Sequence, residues 1–210
     1  GQAPETTYLD LESQSDFTRL SDGRLAFLAW TVDHVALFTT WGELLQSYEG
    51  DPTGHVFMDP ARPRWLVAMS GNLWLGTYPR SWRKLEGQSG FSGERGEGVE
   101  WLDDAVVLWD YKSVHLVPLE GSQRSPIDLN LADSRPGLPS SWARGVSGTR
   151  DALVVTTQTG VRIFDRQGAL VGGADPLPCE WPPTSTAVIS GSRAVVATSQ
   201  YLLGFDLSGY

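Results

Sequence analysis

The sequence predicts an all-β fold built from five copies of one four-stranded unit. Two landmarks recur along the whole chain with a period near 40 residues. The first is the apolar run of the second strand, which begins at Leu25, Trp65, Ala105, Ala152 and Ala194. The second is the third strand, which follows at Val35, Leu73, Val114, Val161 and Leu202. A period of this length with four strands in each unit is typical of a propeller, so we predict a five-bladed β-propeller.

The predicted blades follow one another within a single domain of residues 1–210. They cover approximately residues 13–50, 51–87, 98–130, 142–173 and 185–210, and residues 6–12 complete the last one. No stretch of the chain combines a helical apolar stripe with caps at both ends, so we expect little or no helix.

The fourth and fifth units are the most alike. One reads VSGTR, ALVVTT and VRIFD, and the other reads ISGSR, AVVATS and LLGFD. The Ser-Gly pair predicts a tight turn between the first and second strands. The second strand is apolar at consecutive positions, which is typical of a strand covered on both faces. We therefore expect each second strand to lie between two neighbouring blades.

The two ends of the chain predict how the ring closes. The fifth unit reaches Tyr210 after its third strand, whereas a surplus strand, Thr6 to Leu11, precedes the first unit. We expect residues 6–12 to pair with the third strand of the last unit. Such closure removes open sheet edges that would otherwise favour aggregation.

In this pattern the chain resembles β-propeller repeat proteins of the broad WD40 and PQQ-like type, in a compact five-bladed form. The dipeptides typical of WD40 repeats occur once each and out of step, as Gly54-His55 and Trp109-Asp110. The resemblance therefore indicates an architecture and no specific family. Folds of this kind carry unrelated functions, so the function has to be argued from the residues.

Composition excludes several classes of protein. The formal net charge is −9, which disfavours nucleic acid as a partner because phosphates bind clustered Lys and Arg. The single cysteine, Cys179, excludes an intramolecular disulfide. The apolar runs are too short for a transmembrane helix. The first four residues, Gly1 to Pro4, are typical of a processed start, which favours an extracytoplasmic location.

Catalytic and metal-binding patterns are weak, and we predict neither a metal site nor a cofactor. The histidines His34, His55 and His115 show no metal-ligand spacing. We interpret His34 as a turn residue and His115 as part of a strand surface. The stretch from Gly87 to Phe91 falls one glycine short of a nucleophile elbow and lies in a loop.

Carboxylates provide an alternative reading, since some five-bladed propellers are glycosidases that use paired acids. The candidate acids are Asp16, Asp59 and the pair Asp103-Asp104, all near predicted turns. Asp is a favoured turn residue, so we expect these side chains to be structural. The prediction is accordingly a chain that is not an enzyme.

Two sets of residues are candidate binding surfaces. Arginines close the first turn of four units, at Arg24, Arg64, Arg150 and Arg193. In a propeller these turns share one face, so the guanidiniums would surround the channel mouth, where they either bind an acidic partner or anion or pair with acids between blades.

The second candidate surface lies on the opposite face, where connectors 87–98, 131–142 and 173–185 carry Phe91, Trp142 and Trp181. Long loops on a rigid scaffold commonly carry recognition, and tryptophan is enriched in interaction hot spots. The alternative is that these rings cap the blade ends. The remaining tryptophans lie inside strands, and we predict that they pack between blades: Trp30, Trp65, Trp74, Trp101 and Trp109.

The sequence thus favours a non-catalytic interaction or scaffold module, an accessory subunit that binds another protein. The alternative is a carbohydrate-binding, lectin-like propeller, or less favourably a glycoside hydrolase.

Overall fold

The structure is a computed structural model, and it describes the chain in nine ranges. These are residues 13–30, 33–50, 52–79, 81–85, 98–110, 112–122, 125–131, 142–178 and 183–209. Every regular element in these ranges is a β-strand, so the all-β prediction is confirmed for this part of the chain. The same ranges contain no helix suited to crossing a membrane. Contacts divide the chain into two compact units, Gly1–Arg95 and Gly96–Tyr210.

The first unit holds two antiparallel sheets whose strands pair in chain order. The first sheet consists of β1 (Ser13–Arg19), β2 (Leu25–Trp30), β3 (His34–Thr39) and β4 (Leu44–Glu49). The second sheet consists of β5 (Pro52–Met58), β6 (Arg64–Met69), β7 (Asn72–Thr77) and β8 (Ser81–Lys84). The prediction of four antiparallel strands in each sequence repeat is confirmed for both sheets.

The second unit holds three antiparallel sheets. The third sheet consists of β9 (Gly98–Trp101), β10 (Ala105–Trp109), β11 (Ser113–Pro118) and β12 (Ile127–Asn130). The fourth sheet consists of β13 (Ala143–Gly148), β14 (Ala152–Thr157), β15 (Val161–Asp165) and β16 (Leu170–Ala174). The fifth sheet has three strands among the described residues, β17 (Val188–Ser190), β18 (Arg193–Ala197) and β19 (Leu202–Asp206).

Consecutive apolar residues in the second strands reflect cover on both faces. All six residues of β14 are buried. Leu153 and Val155 pack in a cluster shared with the third sheet, whereas Val154 packs in a cluster shared with the fifth. The prediction that a second strand lies between two neighbouring sheets is therefore confirmed for β14, and burial on both sides fixes its register.

The core of the first unit is packed around Trp65, which is completely buried on β6. It lies in a cluster with Leu28 and Leu37 of the first sheet. Trp65 pairs across the hairpin with Gly76, and a Cβ built at residue 76 would lie 2.1 Å from the indole nitrogen. Only glycine leaves room for the ring at this point, so Gly76 is required for this packing.

The fifth sheet is covered on one face. Ala194 and Val196 pack in the cluster shared with the fourth sheet. On the other face Val188, Val195 and Leu202 are exposed. The segment predicted to complete this sheet, residues 6–12, lies outside the described residues, as do connector residues 86–97, 132–141 and 179–182.

Candidate functional site

A cleft in the second unit contains Trp142, one of the three residues predicted for the connector surface. Trp142 directly precedes β13, and its side chain is 51% exposed. The other two residues, Phe91 and Trp181, lie outside the described residues, so the connector surface as a whole remains a prediction.

The Trp142 cleft has a volume of about 480 Å³. Its side chains come from the same end of neighbouring strands, because Trp109 ends β10, Trp142 precedes β13 and Gln158 follows β14. The principal lining residues are Trp109, Trp142, Arg144, Gln158, Thr184 and Ser185.

Backbone hydrogen bonds hold the walls of the Trp142 cleft in place. The Gln158 amide donates to the Trp142 carbonyl at 2.9 Å. On the opposite side, the Thr184 amide donates to the Ala197 carbonyl at 2.9 Å, and Arg144 Nη1 donates to the Pro183 carbonyl at 3.3 Å. The cleft is therefore built before any ligand arrives, which lowers the ordering cost of binding.

Trp109 lines this cleft and packs on a glycine. It pairs with Gly98 on β9, where an added Cβ would lie 2.3 Å from the indole ring. The sequence predicted Trp109 for packing inside the fold, and it does pack against the core cluster of the third and fourth sheets. The sequence analysis did not place Trp109 in a cleft. Its position as the last residue of a strand could have indicated that its ring reaches the end of the sheet.

The chemistry of the Trp142 cleft suits recognition. Two indoles offer apolar surface with a polar N–H, and Arg144, Gln158 and Thr184 are exposed hydrogen-bonding groups around them. Tryptophan and arginine are the residues most enriched at interaction hot spots. A cleft of this volume can take up one or two side chains or a small polar ligand.

The four predicted arginines occupy different positions relative to their strands. Arg24 precedes β2 and forms ion pairs with Asp22 at 2.8 Å and Glu43 at 2.7 Å. Its hydrogen bond holds the pKa of the Asp22 carboxyl below the ordinary value. Arg64 is the first residue of β6 and is buried against the Asp59 carboxylate. Both guanidiniums are thus engaged in structural contacts.

The other two arginines lie on the surface of the second unit. Arg150 is in the turn between β13 and β14, and Arg193 is the first residue of β18, opposite Asp206. Both are exposed. The proposed ring of four guanidiniums stays a prediction, and these placements show that its members differ in burial and in partners.

His115 lies in a hydrogen-bonded chain that has the order of a nucleophilic triad. Its Nδ1 is 2.7 Å from Asp128 Oδ1, and its Nε2 is 3.0 Å from Ser113 Oγ. Ser113, however, also hydrogen-bonds through its side chain to Asp110. A hydroxyl proton directed to a carboxylate is not held by the imidazole, so this serine lacks the activation that a triad requires.

The pKa of Asp110 agrees with that arrangement. Partial burial would raise it, but hydrogen bonds from the amide of Lys112 and from Ser113, together with the nearby His115, outweigh burial and lower it. His34, which was predicted to be a turn residue, is the first residue of β3, because this strand begins one residue before the predicted Val35. Asp33 hydrogen-bonds to its ring at 2.8 Å and raises the pKa of His34.

The candidate carboxylates that the structure describes have structural partners. Asp59 is buried, and besides Arg64 it accepts a hydrogen bond from the Ala61 amide at 2.8 Å. Asp104 accepts from Ser122 Oγ at 3.3 Å. No group of three His, Cys, Asp or Glu side chains in the described ranges is placed to hold a metal ion. The side chain of Asp16 lies outside the described part.

Four-stranded antiparallel sheets repeated at intervals near 40 residues define the class of protein, a β-propeller repeat protein, and solved structures show the same fold. A virginiamycin B lyase from Staphylococcus aureus, crystallised with quinupristin, is 14% identical with a TM-score of 0.53 and matches 95% of this chain and 72% of its own. BamB from Moraxella catarrhalis is 14% identical with a TM-score of 0.54, and the match covers 97% of this chain and 62% of BamB.

The WD40 domain of SCAP from fission yeast is 13% identical with a TM-score of 0.53, and the match covers 88% of this chain and 51% of that domain. Comparison with protein-family models and with curated protein sequences gives no match. The chain therefore spans between about half and three quarters of these structures. At such low identity the likeness establishes the propeller fold alone, and that class includes a lyase.

Proposed function

We propose that this chain is a non-catalytic protein-interaction module, an accessory subunit of a larger assembly, which holds its partner protein at the Trp142 cleft. The observation that carries the proposal is the half-exposed Trp142 beside a second indole and an exposed guanidinium. Half-exposed tryptophan is costly to leave in water, since its large apolar surface gains free energy when a partner covers it.

The surroundings of Trp142 support an interaction surface. Binding hot spots combine aromatic anchors with a polar rim that excludes water once the partner is seated. Trp109 and Trp142 supply the anchors, and Gln158, Thr184 and Ser185 supply the rim. The fixed walls of the cleft favour a partner that inserts a side chain into it.

A binding role also agrees with the contacts that two polar side chains make outside the Trp142 cleft. The Asp59 carboxylate is committed to Arg64, and the Ser113 hydroxyl is shared with Asp110. Catalysis requires a nucleophile, base and orienting group that are free to act on a substrate at one place. These described groups instead stabilise the turns and strands that carry them.

We further propose that the five sheets are the blades of one ring, a single domain that residues 6–12 close by adding a fourth strand beside β19. Two observations support this. The fifth sheet has three described strands where the other four sheets have four. Its outward face carries Val188, Val195 and Leu202, which are apolar side chains of the kind that propeller blades bury against each other.

Affinity purification from the native cells tests the interaction module. The tagged wild-type chain is expected to retain a stoichiometric partner, identified by mass spectrometry, and Trp142→Ala is expected to lose it. Trp41→Ala is the matched control, because Trp41 is 91% exposed and does not line the cleft. Thermal unfolding verifies that each variant folds. A partner retained equally by Trp142→Ala and the wild-type chain would contradict the proposal.

Carbohydrate recognition is the second candidate function, because sugars also bind between indoles and hydrogen-bonding side chains. The pair Trp109 and Trp142 with Gln158 and Thr184 has that chemistry. A glycan array separates the two candidates. One class of sugar bound by the wild-type chain and lost in Trp142→Ala would favour the lectin. An array without a bound sugar would leave the interaction module.

A further inference from the structure

The second unit also contains a charged groove. It lies at the strand ends opposite to those that form the Trp142 cleft. It consists of three adjoining clefts of about 490, 460 and 460 Å³. The first and second share Arg150, and the second and third share Arg166. Trp101 lines one end of the groove and Val171 the other. Because neighbouring clefts share residues, a ligand that spans all three would have to be an extended chain.

The two arginines at the junctions of the groove differ from the structural arginines of the molecule. Arg64 is buried on Asp59, and Arg162 is buried on Asp175. By contrast, Arg150 and Arg166 are exposed, and no carboxylate in the described ranges lies within 4 Å of either guanidinium. Each retains its full set of hydrogen-bond donors for a ligand.

Tight turns fix the backbone that carries these arginines. Thr149 Oγ1 accepts from the amides of Asp151 at 3.2 Å and Ala152 at 3.0 Å, which closes the turn around Arg150. Asp165 Oδ1 accepts from the amides of Gln167 and Ala169, both at 2.9 Å, which closes the turn around Arg166. The ordering cost of binding therefore falls on the two arginine side chains, since their turns are already closed by hydrogen bonds.

The remaining groups of the groove select among anions. A guanidinium holds a carboxylate or a phosphate through two parallel hydrogen bonds. Asp104 and Asp151 also line the middle cleft, and their negative charge repels a doubly charged phosphate more than a single carboxylate. The same two carboxylates can accept hydrogen bonds from the backbone amides of a peptide. Ser125 and Gln167 add further hydrogen-bonding groups.

We infer that the charged groove binds an extended acidic peptide segment of a partner protein, with one ligand carboxylate on Arg150 and a second on Arg166. The inference goes beyond the proposed function and does not rest on the Trp142 cleft. The chain as a whole carries a net charge of −9, so an acidic peptide is attracted only by the local positive charge of the two arginines. Binding therefore weakens as salt screens the two ion pairs.

Fluorescence anisotropy with fluorescein-labelled hexaglutamate tests the inference on the full chain. Arg150→Gln and Arg166→Gln are each expected to weaken binding about tenfold, because each removes one charge-assisted pair of hydrogen bonds to a ligand carboxylate. The double variant is expected to abolish it. Hexaglutamine is the control ligand and is not expected to bind.

Arg19→Gln is the matched control protein, because Arg19 is an exposed arginine that lines none of the three clefts of the groove. It should bind hexaglutamate as the wild-type chain does, and so should Trp142→Ala, which separates this test from that of the proposed function. Thermal unfolding should be unchanged in every arginine variant. Equal binding by the double variant, no binding by the wild-type chain, or tighter binding of inorganic phosphate than of hexaglutamate would each overturn the inference.

Discussion

The fourth and fifth sheets are the most similar units in sequence, yet their burial differs sharply. Alignment of VRIFD with LLGFD makes Val154, opposite Ile163, equivalent to Val195, opposite Gly204. Val154 is 0% exposed, whereas Val195 is 40% exposed. In the third strands the equivalent residues Val161 and Leu202 are 0% and 74% exposed.

This difference shows that the repeat places apolar residues on both faces of its second strand. Whether those residues are buried depends on the sheet that packs against each face. The fourth sheet has described sheets packed on both sides, so every position of β14 is buried. The fifth sheet has a described neighbour on one side, so β18 alternates between buried and exposed residues. Strands of similar sequence thus differ in burial because of what lies beside them.

The largest effect is expected from Val154→Asp on the covered face of the fourth sheet. A carboxylate introduced there has neither water nor a partner, so we expect a loss of more than about 4 kcal/mol in the free energy of unfolding. That is a large part of the total stability of a domain of this size. Urea unfolding followed by circular dichroism measures it, and an unchanged midpoint would contradict the packing described for β14.

Val195→Asp, at the equivalent position of the fifth sheet, tests whether the ring closes. If another blade covers this face, as proposed, the substitution should cost roughly 1–3 kcal/mol in the same urea experiment. Val195→Thr keeps the shape without the charge and serves as the control. Unfolding of Val195→Asp at the wild-type midpoint would show an open face and reject the closure.

A pair of glycines provides a smaller contrast between the two sheets. A Cβ at Gly145 of β13 would lie 1.9 Å from Thr186 Cγ2, so Gly145→Ala should lower stability by roughly 1–3 kcal/mol through overpacking. A Cβ at Gly204 of β19 meets nothing within 4 Å. Gly204→Ala should therefore raise stability by roughly 0.5–1 kcal/mol, since alanine is better than glycine inside a strand. Thermal unfolding measures both, and the absence of a gain in Gly204→Ala would contradict the open space described beside residue 204.

The smallest expected effect concerns two acids, the partly buried Glu100 and the exposed Asp206. Burial raises the pKa of Glu100, on the covered side next to the fourth sheet, despite a hydrogen bond from the amide of Gly148. The Ser208 amide lowers the pKa of the exposed Asp206. Because the pKa of Glu100 is raised in the folded chain, its contribution to stability is greatest below the ordinary value of 4.5 and is lost as pH rises through the raised value.

The effect of pH on the contribution of Asp206 to stability is the opposite. That contribution is present above the ordinary pKa of 3.8 and is lost as pH falls through the lowered pKa. Glu100→Gln should therefore raise the urea midpoint at pH 7 relative to the wild-type chain and leave it nearly unchanged at pH 4. Asp206→Asn should lower the midpoint slightly at pH 7. A Glu100→Gln midpoint below that of the wild-type chain at pH 7 would contradict the assignment for Glu100.

Much of the strand arrangement could be predicted from the sequence because it depends on local patterns. The apolar runs from Ala105 and Ala152 begin β10 and β14 at those residues, and the runs from Val161 and Leu202 begin β15 and β19. Tight turns and alternating or continuous apolar positions are readable in a single chain. The number of blades in a ring depends on distant segments, and no local pattern encodes it.

The candidate sites were less predictable because they combine residues from different units. Trp142 was predicted to be a contact residue from its place in a connector, but Trp109 and Arg166 were not. Their membership of a cleft depends on which strand ends lie side by side. The hydrogen bond between His115 and Asp128 likewise depends on the register of β11 and β12, which places these two residues opposite each other.

The packing of Trp65 on Gly76 gives the first unit a natural optical reporter. Its indole is fully buried, and its N–H has no hydrogen-bond partner among the described groups. An indole in such dry surroundings fluoresces at shorter wavelength than one in water, such as Trp41. The shift of this blue emission to the red on denaturation would therefore report the exposure of Trp65 as the core of the first unit opens.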